Sequence, residues 1–340
     1  MLQLINNTSF CTERACLVDN EGNQVWVVIV KATYLLNEDG SVGEHPQQEP
    51  VFQSPVFSGE PGKSSLLRDG EMVTAHPGTD IMLLANAHAP QGHSARQIDV
   101  GVAVGKIGKT LRVYGDRYWD KGIVRPTMTQ PVPFTVLPIT YERAFGGTNI
   151  YAGPPEQEEK DPRNPIGQGF ASSPNTLIGR PLPNVEDPNH LIQSWNDRPV
   201  PMGFGPIPSM WSPRLEYAGT FDMAWRTQRM PLLPKDYDQR HTLSAHPDLV
   251  SPHPLRGGEV VTLTNLTPNS LFRFQLPRPY LIFTTSTRGG RLRQDVQLDR
   301  VIIEPDARKL VMVWRSTLLC GARVRDVLST AVDMKPHVTL

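Results

Sequence analysis

The sequence predicts a mainly β fold: antiparallel, β-sandwich-like blocks joined by a long Pro/Gly-rich loop region, with few short helices. Three observations carry this expectation. The 340-residue chain holds 33 prolines and 27 glycines, and both residues are penalised inside helices and central strands, so long helices are disfavoured throughout. β-Branched runs and apolar/polar alternation recur towards both ends of the chain, the period-2 pattern of half-buried strands. Hydrophobic residues make up 39% of the chain, which separates it from a disordered chain of similar proline and glycine content.

Val25 to Val30 is the densest β-branched run, and Asp19 to Asn23 before it predicts a hairpin turn. Asn37-Glu38-Asp39-Gly40 closes that strand. Ile81, Leu83, Ala85 and Ala87 share one face of another, and Ile98, Val100, Val102 and Val104 alternate with Asp99, Gly101 and Ala103 in the next. Leu111 and Val113 continue the pattern after a glycine-containing turn, which predicts an antiparallel meander over residues 10–115 within an N-terminal β block, 1–121. From 122 to 255 the chain reads as a Pro/Gly-rich region whose short elements pack on the sheets. A C-terminal β block, 256–340, follows. Its strands are expected around Val261 and Leu263, Phe272 to Leu276, Tyr280 to Phe283, Val296 to Ile303 and Leu310 to Trp314, with Pro305-Asp306-Ala307-Arg308 as a hairpin turn. Val324, Val327, Leu328, Ala331 and Val332 fall at helical spacing, which predicts a short terminal helix ended before Pro336.

Composition narrows the function classes. Lys+Arg and Asp+Glu balance at 34 each, so the chain lacks the global basic field of a nucleic-acid or anionic-membrane binder. Cys11, Cys16 and Cys320 are odd in number and form no C-x-x-C pair, which points to a reducing compartment, the cytoplasm. The amino terminus lacks the cationic start and apolar region of a signal peptide, and the longest apolar run, Val25 to Leu36, is interrupted by Lys31.

No catalytic, cofactor or metal residue emerges from the motifs. Gly105-Lys106-Ile107-Gly108-Lys109-Thr110 ends like a phosphate-binding loop, but Ala103 stands where its first glycine belongs, so a hairpin is expected. Gly59-Glu60-Pro61-Gly62-Lys63-Ser64 fails on spacing as well. His241, His246 and His253 with Asp236, Asp238 and Asp248 match no zinc template, and Pro247, Pro252 and Pro254 mark a solvated loop. In Tyr141-Glu142-Arg143-Ala144-Phe145-Gly146-Gly147-Thr148 an extended chain would aim Glu142 and Arg143 to opposite faces. The expected roles there are structural: the two charges bridge sheet and loops, and the glycine pair makes a tight turn.

Seven short strings in order carry a more specific signal. They include Tyr141 to Gly147, Asn164 to Phe170, Leu182-Pro183-Asn184, Pro201 to Pro206, Trp211 to Arg214, Ala218 to Trp225 and Arg229 to Pro234. Together with Leu255 to Glu259 and, more weakly, Trp314-Arg315, they resemble a bacterial family of type VI secretion effector chaperones and adaptors, first known as a domain of unknown function. Tyr237 stands where that family tends to have phenylalanine, and the segment from His241 to His253 is individual to this chain. The resemblance implies a cytoplasmic, non-enzymatic protein without cofactors that binds a toxin effector and promotes its loading onto a VgrG or PAAR spike protein. It implies neither nucleic-acid nor membrane partners. The family-motif residues taken as candidates for partner contact are Tyr141, Glu142, Arg143, Phe145, Gly146, Gly147, Asn164, Phe204, Trp211, Arg214, Asp222 and Trp225. Two alternatives belong to other classes: a hydrolase or carbohydrate-active enzyme using Glu142 and Asp222, marked by carboxylates about 5 to 9 Å apart in an open cleft, or a structural component of the injection machine.

Overall fold

The computed structural model describes residues 2–149, 159–321 and 323–335. In chain order the longer strands are β1 (Gln3–Asn7), β2 (Cys11–Val18), β3 (Gln24–Leu36), β4 (Thr79–Leu83), β5 (Gln97–Val104) and β6 (Ile107–Tyr114). After the loop-rich middle come β7 (Val260–Thr264), β8 (Leu271–Gln275), β9 (Tyr280–Thr287), β10 (Gly290–Gln294), β11 (Gln297–Glu304), β12 (Lys309–Gly321) and β13 (Val327–Lys335). The single α-helix among the described residues, α1, is Met223–Gln228, and strands make up 41% of the fold.

These strands form three large sheets. A seven-stranded sheet has the order Val250–Ser251, β4, β11, β12, β3, β2, with Val42–Glu44 also on β3. A five-stranded sheet runs Val185–Glu186, β6, β5, β7, β8, and a four-stranded sheet runs β1, β13, β9, β10. One continuous hydrophobic core joins all three, drawing Val28 and Met312 from the first, Val100 and Leu111 from the second and Phe283 and Val332 from the third. The Trp26 indole donates to Thr330 Oγ1 at 2.9 Å and ties β3 to β13.

The expected strands from Val25, Ile98, Leu111 and onward from Val261 are all present. The hairpin turns after Asp19 and at Pro305–Arg308 close with bonds from Asp19 N to Asn23 O and from Arg308 N to Pro305 O, both 3.0 Å. Gly105 and Lys106 form the turn between β5 and β6, as the failed phosphate-loop spacing implied.

Three expectations need correction. The meander over 10–115 is divided: β2 and β3 lie in the seven-stranded sheet, and β5 and β6 lie in the five-stranded one. Pairing is not wholly antiparallel, because β1 runs parallel to β13 and β4 parallel to β11. All five side chains of β4 are buried, so it must sit between neighbours, and these are Val250–Ser251 from the end of the loop-rich middle and β11 from beyond it. The terminal helix is replaced by one 3-10 turn, Val324–Asp326, followed by β13. Val327, Thr330 and Val332 are buried there between β1 and β9, where β-branched side chains fit a pleated surface better than a helix. The helix stop expected at Pro336 lies outside the described residues.

One face of the seven-stranded sheet is charged. Lys31 and Arg300 both stand opposite Val313, while Arg315 stands opposite Ile29; the three cations therefore share a face. The segment 45–77 straps this face. Lys31 Nζ lies 3.0 Å from Glu49 and 2.8 Å from Glu71, and Arg68 pairs with Glu49 and Glu304. Arg300 donates to the carbonyls of Asp69 and Gly70 at 3.0 and 2.9 Å. Arg315 donates to Glu71 O at 3.0 Å and to Asp299 at 2.5 Å. Buried charges persist only when paired in this way.

Candidate functional site

Tyr141–Arg143 forms a single 3-10 turn rather than an extended stretch, followed by the two-residue strand Phe145–Gly146. Glu142 turns towards the strap, where its carboxylate accepts from Ser65 N at 2.7 Å and Ser65 Oγ at 2.5 Å. Burial raises the Glu142 pKa, but these hydrogen bonds outweigh it and hold the carboxyl below its ordinary value. Arg143 donates to Asn184 Oδ1 at 3.1 Å and reaches Asp116 at 3.3 Å. The two charges therefore reach different segments, from a 3-10 turn rather than from the extended stretch that was expected.

The buried side chains of the motifs converge here. Tyr141 meets Trp211 edge to face, with centroids 5.7 Å apart. Asn164 Nδ2 donates to Tyr141 O at 2.7 Å and to Phe145 O at 2.9 Å. The Phe145 ring packs in a second cluster with Trp119 and Leu182. Gly146 and Gly147 have φ of +141° and +97°, and a Cβ on Gly146 would lie 2.2 Å from Asn164 O. Glycine is required there. Phe204 is fully buried and its carbonyl accepts from Leu83 N at 2.9 Å, which anchors the loop to β4. Arg214 pairs with Asp69 at 2.9 Å and donates to Ile207 O at 2.5 Å and to His241 O.

Ten of the twelve candidate residues thus build a hub, eight of them buried and Glu142 and Arg143 half-buried, and Tyr141, Gly203 and Gly205 border a cavity of about 240 Å³. Ligand pockets usually exceed roughly 300 Å³, so this space suits packing better than binding. Asp222 and Trp225 stand apart. Asp222 caps α1 by accepting from Trp225 N at 2.8 Å, and the Trp225 indole donates to Leu232 O at 2.8 Å. Glu142 and Asp222, the carboxylates considered for hydrolysis, are each engaged by a different segment. His246 sits against Lys109, 2.9 Å from its Nζ, and His241 packs edge to face on Tyr237.

Two surfaces lie outside the hub. The first is the excursion around α1, where Phe221, Met223 and Met230 are 54%, 67% and 61% exposed. Its base is fixed, since Arg229 donates to Leu233 O at 2.9 Å and to Asn20 O at the tip of the β2–β3 hairpin. Phe221, Met223 and Met230 lie within the recognised strings Ala218 to Trp225 and Arg229 to Pro234, although the candidate contact residues there were Asp222 and Trp225.

The second is a cleft of about 1440 Å³ lined by strands of both the four-stranded and the seven-stranded sheets. His76, Leu298, Asp299, Trp314 and Arg315 line its depth, and Arg256, Arg278, Tyr280, Asp295 and Lys335 line its exposed parts. Burial, reinforced by Arg300 and Arg315, lowers the His76 pKa well below its ordinary value, so this imidazole is neutral. Burial also pushes the Asp299 carboxyl up to about 6 against the pull of Arg315. Arg256 lay in a recognised string; Arg278 and Lys335 carried no local signal.

No helix among the described residues is long and apolar enough to cross a membrane. No curated protein and no solved structure matches the chain. A family model described as an uncharacterized protein conserved in bacteria (DUF2169) matches residues 21–315. That match takes in the hub, the excursion and most of the three sheets, and the chain belongs to the DUF2169 family.

Proposed function

We propose that this chain is a cytoplasmic type VI secretion adaptor that chaperones a toxin effector and promotes its loading onto a VgrG or PAAR spike protein. The ordered strings from Tyr141 to Pro234 support the secretion assignment by resemblance. The observation that carries a binding role is the α1 excursion, which presents Phe221, Met223 and Met230 to solvent from a braced base. Exposed apolar groups of this kind mark interaction surfaces. Methionine side chains adapt to irregular partner surfaces, and aromatic anchors often dominate binding energy.

The test reads the neighbouring genes for a toxin and a spike protein, whose absence would count against the proposal, and co-expresses that toxin with this chain. The wild-type chain is expected to keep the toxin soluble and to deliver it to the spike protein in a pull-down. Phe221→Ser, Met223→Ser and Met230→Ser combined should abolish co-purification while changing the Tm little, because exposed side chains contribute little to stability. Toxin solubility and spike loading that do not depend on the wild-type chain would refute the proposal.

A further inference from the structure

The cleft lined by the four-stranded and seven-stranded sheets has the chemistry of a peptide site. Its volume, about 1440 Å³, exceeds the roughly 300 to 1,000 Å³ of small-molecule pockets. Arg256, Arg278 and Lys335 have no salt-bridge partner among the described residues, and Asp295 is the exposed carboxylate of the lining. Positive charge therefore exceeds negative charge in the exposed lining. Deeper in, Leu298 and Trp314 form an apolar floor, and the half-buried Leu255 and Val296 supply the apolar surface that stays open.

The strands beside the cleft also leave backbone unpaired. β9 begins at Tyr280, but its pairing with β10 begins only at Phe283. β12 continues to Gly321 beyond Arg315, its last residue paired with β11. Such strand edges offer hydrogen bonds to an extended chain.

Building on the adaptor reading, we propose that the cleft holds an extended acidic segment of the toxin, with carboxylates paired to Arg256, Arg278 and Lys335 and apolar side chains against Leu255 and Val296. Charge complementarity of this type sets specificity and association rate more than it sets affinity.

The first test uses a fluorescein-labelled, end-blocked decapeptide of alternating glutamate and valine, followed by anisotropy with the full chain. Binding is expected, with none for the lysine–valine counterpart or a thymidine oligonucleotide. Arg256→Glu with Arg278→Glu should weaken binding at least ~10-fold, and raising the salt concentration should weaken it too. Equal binding of both peptides, tighter binding of the oligonucleotide, or no effect of the charge reversal would overturn the proposal. The second test repeats the toxin pull-down with the reversed variant. Loss of toxin with an unchanged Tm supports the cleft; retention overturns it and leaves the adaptor reading intact. If the wild-type chain itself fails to hold the toxin, both the adaptor reading and the assignment of a toxin segment fall, and the peptide titration separately decides the cleft's preference for acidic chains.

Discussion

Asn164→Ala separates a structural motif from a partner-binding one. The Asn164 side chain is fully buried, and its Nδ2 bridges Tyr141 O at 2.7 Å and Phe145 O at 2.9 Å. Tyr141 O keeps a second donor, Ala144 N at 3.2 Å, so losing the first bond there should cost about 0.5–1.5 kcal/mol. Phe145 O loses the amide that reaches it inside the hub, which adds roughly 1–3 kcal/mol for a stranded buried carbonyl. A net loss of about 2–4 kcal/mol is expected, large against a typical total of ~5–15 kcal/mol. For a chain of this length it corresponds to a fall in Tm of about 3–6 °C. The assay is urea denaturation followed by tryptophan fluorescence, with a thermal melt alongside. Tyr141→Phe is the control, since the Tyr141 hydroxyl reaches Gly205 O only at 3.4 Å and its removal should cost less than ~1 kcal/mol. A stable Asn164→Ala chain that no longer binds the toxin would refute the reasoning and make the motif a contact surface.

Gly146→Ala should be more severe than Asn164→Ala, because φ of +141° is strained for alanine and the new Cβ would meet Asn164 O at 2.2 Å; comparing soluble yield and urea midpoint checks the order. Lys31→Met removes the cation 2.8 Å from buried Glu71 and should cost about 3–5 kcal/mol. Adding Glu71→Gln should recover part of that loss, and a double variant no better than the single one contradicts the pairing. Glu49 and Asp299 predict opposite slopes of stability with pH. Burial raises the Glu49 pKa, but Arg68 and Lys31 outweigh it and bring the carboxyl to about 2 from the ordinary 4.5. Its contribution is therefore complete above about 4.5 and lost as pH falls towards 2. Burial brings Asp299 to about 6 from 3.8, so its contribution is complete below about 3.8 and lost as pH rises through 6. Urea midpoints across pH should show the acid-side loss flattened by Glu49→Gln and the loss between about 4 and 6 flattened by Asp299→Asn.

The strands legible in the sequence were those whose side chains announce burial locally. Val25 to Val30 needs no partner to read as a strand, and the alternation from Ile98 to Val104 states its own period. β13 was misread because Val324, Val327, Leu328, Ala331 and Val332 also satisfy a helical period. What decides the matter is β1 from the opposite end of the chain and the Thr330 hydroxyl under Trp26, and neither is a local property. Lys31 looked like an interruption of an apolar run, since its partners Glu49 and Glu71 are distant in sequence. The acid and base of Glu142 and Arg143 were legible as bridges, although the backbone carrying them is a 3-10 turn. Arg256, Arg278 and Lys335 become a group only once three separate segments meet at one cleft.

The hub also constrains how this fold can present a binding surface. Glu142 grips Ser65 and Arg214 grips Asp69, so two motif residues clamp the strap that covers the charged face of the seven-stranded sheet. Arg214 belongs to the 3-10 turn Arg214–Tyr217, and the excursion bearing Phe221 and Met223 follows a few residues later. The excursion thus leaves from a point fixed by a salt bridge and by two backbone carbonyls, those of Ile207 and His241. Such a base reduces the conformational entropy lost on binding, so a modest apolar patch retains more of its gross contact energy as affinity. Rigidity in the hub and apolar exposure at the excursion are therefore complementary, and motif residues can serve binding without touching the partner.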